Sequence, residues 1–295
     1  MIRNDRPLTR RQMLARTAQT TALVSWAAAC EPLLAAPHSR WFKIGACEWC
    51  LGKRDPSCFE VAKEIGLDGV QVDLGTVANE MHLKKHDVQK AYLEAAKKSG
   101  LEVASLAISE MNRVPLTVDP QAEHFLADSI DVCKALGVKV VLAAFFGRGE
   151  LDMKDAKAID HVVEALERVS KRAEELGVVI GLENYLSAED NMDIIQRIGS
   201  PAVKVYYDVG NSTDKGRNVC REIRMLGPLI CEFHAKDSRF MLGQGRIDFA
   251  KVRHAIDDIG YSGWIQIEAA HPHGLIEDYT ADYKYLRTIF PERKR

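Results

Sequence analysis

Residues 156–185 read AKAIDHVVEALERVSKRAEELGVVIGLENY, and this stretch contains one helix, one connection and one strand. Its first part, 156–176, has the apolar spacing of a helix. Gly177 follows as the residue that closes the helix, because glycine readily adopts the left-handed conformation found at helix ends. The apolar, β-branched segment 178–185 then predicts a buried strand that carries Glu183 and Asn184 near its end. The stretch is therefore typical of an α/β protein.

The same order recurs along the rest of the chain. The strand candidates are 42–49, 69–75, 102–109, 139–145, 178–185, 203–209, 230–236 and 264–269. Helical patterns lie between them, for example at 88–99, 122–136, 156–176 and 249–259. Seven segments end in a glycine that we expect to close the helix in the left-handed conformation: Gly66, Gly100, Gly137, Gly177, Gly199, Gly227 and Gly260. These glycines recur on average every 32 residues or so, at about the length of one βα unit.

Eight βα units predict a closed barrel. We expect a single (β/α)8 TIM barrel, of class α/β, that occupies residues 37–295. A doubly wound open sheet is the alternative, but it has no use for eight evenly spaced strands. It would also carry a Gly-x-Gly-x-x-Gly turn after its first strand, and the sequence has none there. No linker rich in Pro, Gly or Ser divides the segment.

The composition is that of an ordinary soluble globular protein. Of the 295 residues, 46% are hydrophobic and 28% are charged, and the formal net charge is -2. This charge excludes the strongly basic surface typical of nucleic-acid-binding proteins. No apolar run approaches the roughly 18 residues that a membrane-spanning helix needs. We therefore expect neither a nucleic-acid partner nor a membrane span.

The first 36 residues differ from the rest of the chain because they are basic. Paired Arg10 and Arg11 precede a weakly apolar stretch, 18–29, which ends in three alanines before Cys30. This is the layout of an export signal, and the arginine pair is typical of the twin-arginine route. We therefore expect residues 1–36 to direct the protein to the periplasm or out of the cell, by signal cleavage or with a lipid anchor on Cys30. A disordered or amphipathic arm is the alternative.

The last four predicted strands each carry one ionisable side chain near the end. These residues are Glu183, Asp208, His234 and Glu268. In a TIM barrel the strand ends meet at the face that carries the active site. Three carboxylates and an imidazole would repel one another or be strongly desolvated there unless a cation lay between them. Oxygen ligands with one nitrogen suit Mn²⁺, Mg²⁺, Co²⁺ or Zn²⁺. The alternative is that each side chain is satisfied separately.

These residues lie in motifs that resemble those of a known family. The motifs are Leu182-Glu183-Asn184, Asp208-Val209-Gly210-Asn211, His234-Ala235-Lys236-Asp237, GQGRIDF at 243–249 and Ile267-Glu268. They are similar to motifs of the sugar phosphate isomerase/epimerase family, in the xylose-isomerase-like TIM barrel superfamily. The resemblance covers nearly the whole chain from Trp41 onward. It implies that Glu183, Asp208, His234 and Glu268 bind one divalent metal ion, with Mn²⁺ as the first expectation.

A metal flanked by two carboxylates indicates proton-transfer chemistry on a sugar. Glu183 and Glu268 would face a bound sugar from opposite sides, so that one removes the proton beside a carbonyl and the other returns it. Return to the opposite face of the same carbon is epimerisation, and return to the neighbouring carbon is isomerisation. A leaving group β to the carbonyl would be eliminated instead. Candidate substrate-binding residues at the strand ends and in the following loops are Glu48, Trp49, Glu110, Asn211, Lys236, Arg246 and His271.

Some positions depart from related proteins. Asn211 stands where ketose 3-epimerases of the superfamily carry histidine, and Phe240, beside Arg239, stands where they carry a substrate-binding arginine. The extra histidines of the three-metal endonuclease IV site are absent. We expect a metal-dependent isomerase or epimerase acting on a non-phosphorylated sugar, because an exported enzyme meets free sugars and glycosides. A lyase or hydratase acting on 3-keto-glycosides and a non-catalytic sugar-binding barrel are the alternatives.

Overall fold

The structure is a computed structural model, and it describes residues 41–292. The predicted export segment, 1–36, lies outside these residues together with Cys30, so the expectations about signal cleavage and lipid attachment stay predictions. Among the residues described, no helix combines the length and the apolar character needed to cross a membrane.

Eight parallel strands form a closed barrel in which each strand pairs with the next and β8 pairs with β1. The strands are β1 Phe42–Cys47, β2 Gly69–Asp73, β3 Glu102–Ile108, β4 Val140–Ala144, β5 Val179–Glu183, β6 Val203–Asp208, β7 Ile230–Ala235 and β8 Gly263–Ile267. The α-helices within residues 41–292 are α1 Cys58–Ile65, α2 His86–Ser99, α3 Gln121–Leu136, α4 Ala156–Leu176, α5 Ala188–Ile198, α6 Val209–Asp214, α7 Val219–Leu226, α8 Phe249–Asp258 and α9 Leu275–Ile289. The predicted single (β/α)8 barrel is confirmed.

The predicted strands are all present, but several end earlier than the sequence indicated. β1 ends at Cys47 because the backbone N–H of Cys50 bonds to the carbonyl of Cys47 in a turn. β2 ends at Asp73 and β5 ends at Glu183. The polar residues therefore lie at the last strand positions or at the start of the following loops, on the face where TIM barrels carry their active sites.

The glycines that follow the helices adopt positive φ, with one difference from the expectation. Gly177 closes α4 with φ 67° and ψ 32°, and its N–H points to the carbonyls of Ala173 and Glu174. Gly227 after α7 has φ 51° but ψ -122°, so the left-handed cap expected there is wrong. Pro228 follows, and the residue before a proline is kept out of helical conformations. Gly227 instead opens a short 3₁₀ turn.

The barrel strands have an apolar core on their outer side and a polar lumen on their inner side. A large apolar core fills the space between strands and helices, and Phe59, Leu74 and Leu166 are fully buried within it. The barrel lumen instead contains buried polar side chains that bond across the strands: Gln71, Ser105, Tyr206, Glu232 and Gln266. This polar layer lies beside the strand-end residues that the sequence singled out.

Candidate metal centre

Parallel register brings the four ionisable strand-end residues together. Asp208, the last residue of β6, is paired in register with His234 on β7. Glu183 is the last residue of β5, and Glu268 directly follows β8. The N–H of Glu268 bonds to the carbonyl of Ala235, which holds this residue against β7. The convergence expected from the sequence is therefore present.

The candidate ligand atoms form a compact group. One oxygen of each carboxylate and one ring nitrogen of His234 all lie within 4.8 Å of one another. Nδ1 of His234 is 2.7 Å from Oε1 of Glu183 and 3.8 Å from Oε2 of Glu268. The side chain of His234 is fully buried and that of Glu268 is 21% exposed. Glu268 therefore lies on the open side of the group.

The two carboxylate oxygens of Asp208 differ: one is hydrogen-bonded to backbone N–H groups, and the other accepts no hydrogen bond from the residues described. Oδ1 accepts hydrogen bonds from the N–H groups of Gly210 at 2.7 Å and Asn211 at 3.0 Å, so it caps the start of α6. Oδ2 is buried and has no hydrogen-bond partner within residues 41–292. A buried carboxylate oxygen without a partner is costly unless a cation balances it. Its position in the group therefore fits a metal ligand.

Lys236 reaches into the same group from the end of β7. Its Nζ donates a hydrogen bond to Oε2 of Glu268 at 3.0 Å and lies 3.8 Å from Oδ2 of Asp208. Gly210 makes room for this side chain, because a Cβ at position 210 would lie 2.7 Å from Cγ of Lys236. The ammonium group thus lies within the candidate metal centre, beside the carboxylates of Glu268 and Asp208.

Burial and the proximity of these charged groups shift their pKa values. Burial raises the pKa of Asp208 to about 7. Burial lowers the pKa of His234, but the neighbouring Glu183 carboxylate more than reverses the effect and brings it to about 9. Burial also opposes ionisation of Glu268, yet His234 and Lys236 together hold its pKa below the ordinary value. The group therefore attracts positive charge.

A divalent cation fits this donor set. When the three carboxylates are ionised and His234 is neutral, as they must be to bind a metal, Lys236 balances one of the three negative charges and two remain. Oxygen-rich sites with one imidazole suit Mn²⁺, Mg²⁺, Co²⁺ or Zn²⁺. Glu183, Asp208, His234 and Glu268 are thus the residues that could hold the ion.

Three of the predicted substrate-binding residues contact this centre. Trp49 donates a hydrogen bond from Nε1 to Oε1 of Glu268 at 3.3 Å, and its ring lies 6.4 Å from the ring of His234. Lys236 lies among the carboxylates as described. Asn211 is buried, and its backbone N–H bonds to Asp208. Trp49 and Lys236 thus border the open side, whereas Asn211 supports a ligand from α6.

The structure does not show the other four contacting the ligand group. Glu48 is buried, accepting hydrogen bonds from the hydroxyl of Tyr92 and the N–H of Asp73. Glu110 accepts a hydrogen bond from the N–H of Val77. Arg246 pairs with Asp214 at 2.9 Å, and His271 is exposed with its ring 6.0 Å from that of Tyr279. Each of these side chains has a local partner.

Glu48 leads to a prediction about stability. Burial raises its pKa from 4.5 to about 8, so the folded protein retains a proton that the unfolded chain has already released. Stability should therefore fall as pH rises from about 4.5 to about 8. Relative to the natural chain, we expect Glu48→Gln to stabilise the fold by about 1–3 kcal/mol more at pH 8.5 than at pH 5. Urea unfolding at both pH values, with exposed Glu60→Gln as control, measures this difference, and an equal effect at both would contradict it.

The polar residues inside the barrel were not predicted from the sequence. Gln71 bonds to Nε2 of His234 at 2.9 Å, and Glu232 lies two residues before His234 on β7. Side chains two residues apart on a strand point to the same face, so Glu232 and His234 share the lumen. A polar residue at this spacing, in an otherwise apolar strand, was the available signal.

Comparison with known proteins agrees with the fold. A protein-family model described as xylose isomerase-like TIM barrel matches residues 59–289. The 2-epi-5-epi-valiolone 7-phosphate 2-epimerase of Actinoplanes sp. is 26% identical over 175 residues, which are 59% of this chain and 64% of the relative. The chain thus spans less than two thirds of that curated relative.

Solved structures resemble the chain over most of its length. The D-psicose 3-epimerase of Clostridium cellulolyticum H10, determined with D-tagatose, has a TM-score of 0.71 at 19% identity and covers 84% of this chain and 99% of its own. The 3-keto-D-glucoside 4-epimerase of E. coli has a TM-score of 0.68 at 17% identity, with coverages of 84% and 99%. At these identities the likeness concerns the fold.

Proposed function

The chain belongs to the xylose isomerase-like TIM barrel family, and we propose that it is a divalent-metal-dependent isomerase that epimerises or isomerises a non-phosphorylated sugar or sugar derivative. The observation that carries this proposal is the group of four candidate ligands, in which Oδ2 of Asp208 is buried without a hydrogen-bond partner among the residues described. The epimerase names of its relatives support the same class of reaction.

Glu183, Asp208, His234 and Glu268 would hold the ion, and we propose Mn²⁺ as the native one. Such an ion polarises a carbonyl group and makes the adjacent C–H more acidic. The residues of the chain then do the proton transfer. Glu268 is the more exposed of the two glutamates, and its lowered pKa keeps it ionised at neutral pH, as a general base requires.

Glu183 and Glu268 would act as a pair across the substrate. One carboxylate takes the proton from the carbon beside the carbonyl, and the other returns a proton to the resulting enediolate. The ammonium group of Lys236, bonded to Glu268, would stabilise negative charge that develops on a substrate oxygen. Trp49 offers an aromatic ring beside Glu268 against which a sugar ring could pack.

The pairing of the cations supports a substrate without a phosphate group. Lys236 is bonded to Glu268 and Arg246 is paired with Asp214, so these two cations, both candidate substrate-binding residues, already have carboxylate partners. The curated relative from Actinoplanes acts on a phosphorylated compound by its name, whereas the D-psicose 3-epimerases take a free ketose. We place this chain with the second group.

Proton NMR in D₂O tests the function. The metal-loaded protein is incubated with free ketoses, aldoses and 3-keto-glucosides, with and without a chelator. We expect chelator-sensitive uptake of deuterium at the carbon beside the carbonyl of at least one intact sugar, followed by its epimer or isomer. Loss of an aglycone would assign the lyase reaction instead. Absence of exchange across the panel would contradict the proposal of an isomerase for these sugars.

We also propose export through the twin-arginine route. The proposal rests on Arg10 and Arg11 ahead of the apolar stretch 18–29. Cell fractionation of the full chain should find the protein in the periplasm or bound to its membrane, and Arg10→Lys combined with Arg11→Lys should retain it in the cytoplasm. An unchanged distribution would argue against this route.

A further inference from the structure

The lumen of the barrel contains a continuous set of hydrogen bonds that ends on a candidate metal ligand. The set begins at Glu232, which is 1% exposed. Oε1 of Glu232 accepts hydrogen bonds from Ser105 Oγ at 2.8 Å, Tyr206 OH at 2.9 Å and Gln266 Nε2 at 2.8 Å. Because this carboxylate oxygen accepts all three bonds, each of the three donor groups points a proton towards it.

The next layer is Gln71. Its Nε2 lies 3.1 Å from Oγ of Ser105 and 3.0 Å from the hydroxyl oxygen of Tyr206. A hydroxyl group has a single proton, and both hydroxyls give theirs to Glu232, so towards Gln71 they can only accept. The NH₂ group of Gln71 must therefore face them, which fixes the orientation of the amide.

The orientation of the Gln71 amide then determines which ring nitrogen of His234 carries a proton. With its NH₂ group committed, Gln71 presents Oε1 to Nε2 of His234 at 2.9 Å. Because this oxygen is an acceptor, Nε2 must carry a proton. Nδ1 is then the nitrogen available to a cation, and it is the one that faces Glu183 and Glu268. The ring is also held in place by the ring of Tyr206, whose centroid is 4.6 Å away.

We propose that Glu232 is a positioning residue that fixes the Nε2–H tautomer of His234 through Ser105, Tyr206 and Gln71, and so prepares Nδ1 as a metal ligand. The inference rests on the metal site of the proposed function. Metal-binding histidines commonly donate their second N–H to a fixed acceptor, and loss of such a partner typically weakens metal binding by about 10–100-fold. Here that acceptor is neutral Gln71, and Glu232 sets the orientation of its amide through Ser105 and Tyr206.

Substitution of Glu232 separates this role from simple packing. In Glu232→Met the hydroxyl protons of Ser105 and Tyr206 are free to turn towards Gln71, so its amide can reverse and present NH₂ to Nε2 of His234. In Glu232→Gln an acceptor oxygen remains for the same donors. We therefore expect Zn²⁺ affinity, measured by chelator competition, to fall about 10–100-fold in Glu232→Met and to recover most of this loss in Glu232→Gln.

The chain offers a closely matched control. Glu222 is also a buried glutamate that accepts hydrogen bonds from a tyrosine and a serine, Tyr207 and Ser212, both at 2.8 Å. None of its hydrogen bonds described leads to His234. Glu222→Met should therefore leave Zn²⁺ affinity within about twofold of the natural chain, although it also removes the acceptor of the Ala188 N–H and the carboxylate 3.7 Å from Nε of Arg217. Gln71→Met serves as a second test variant if Glu232→Met does not fold.

A spectroscopic measurement follows the proton itself. In Zn²⁺-loaded protein labelled with ¹⁵N-histidine, the Nε2–H signal of His234 should exchange slowly in the natural chain and in Glu232→Gln, and rapidly in Glu232→Met. If Glu232→Gln binds Zn²⁺ as weakly as Glu232→Met, or if both bind as tightly as Glu222→Met, the inference is overturned. If the natural chain itself binds no Zn²⁺, the metal site of the proposed function fails instead.

Discussion

Glu268→Gln is expected to reduce turnover of the sugar substrate by about 10²–10⁴-fold, the usual contribution of a general acid–base group. Glutamine has nearly the shape of glutamate, and its single amide oxygen can keep one of the two hydrogen bonds that Trp49 and Lys236 donate to separate carboxylate oxygens. It cannot take up a proton from carbon, however. The loss should therefore appear in kcat, with the fold preserved.

Isotope exchange distinguishes loss of a base from loss of a metal ligand. If Glu183 and Glu268 serve opposite faces of the substrate, Glu268→Gln should still exchange the proton of one epimer with D₂O through Glu183 without forming the other epimer. Glu183→Gln should show the same behaviour with the other epimer. Metal content is determined on the same samples, so that a variant without metal is recognised.

Two outcomes would contradict this two-base mechanism. Full activity in Glu268→Gln would show that Glu268 is not a catalytic residue. Loss of exchange with both epimers in both variants, with metal content unchanged, would show that the two carboxylates do not act on separate faces. Glu222→Gln is a suitable control, since Glu222 is buried and bonded to Tyr207 and Ser212.

The barrel was predictable because its local signals agree with one another. In residues 156–185 the helical pattern, the glycine and the strand each indicate the same element order, and the structure places α4 at Ala156–Leu176 as the pattern predicted. The convergence of Glu183, Asp208, His234 and Glu268 follows from the same regularity. Neighbouring parallel strands place residues near their ends at one height, as the pairing of Asp208, the last residue of β6, with His234, the last but one of β7, shows.

Other features of the site depend on contacts that a linear pattern does not encode. Glu48 has the same position relative to β1 as Glu268 has to β8, yet it bonds to Tyr92 from α2 and remains away from the ligand group. The bonding of Lys236 to Glu268 depends on the absence of a side chain at Gly210, which lies on α6. Such outcomes are decided by side-chain packing between elements distant in sequence.

Asp208→Asn is expected to weaken metal binding on the order of 10³-fold while the fold remains intact. Asparagine retains an oxygen for the N–H groups of Gly210 and Asn211, so α6 stays capped. In place of Oδ2, however, it presents an NH₂ donor to the ion. Since burial raises the pKa of Asp208 to about 7, the metal-free variant should be no less stable than the natural chain at neutral pH.

Asp282 provides a matched control for this substitution. It is 1% exposed, its Oδ1 accepts a hydrogen bond from the N–H of Leu242 at 2.9 Å, and its Oδ2 is buried without a hydrogen-bond partner in the part of the chain described. Burial raises its pKa to about 7 as well. Asp282 lies on α9 and is not one of the four candidate ligands, so Asp282→Asn should bind about one Mn²⁺ per chain with unchanged affinity. Equal metal binding by Asp208→Asn and Asp282→Asn would show that the ion binds elsewhere, because the two substitutions differ chiefly in whether the lost oxygen faces the ligand group.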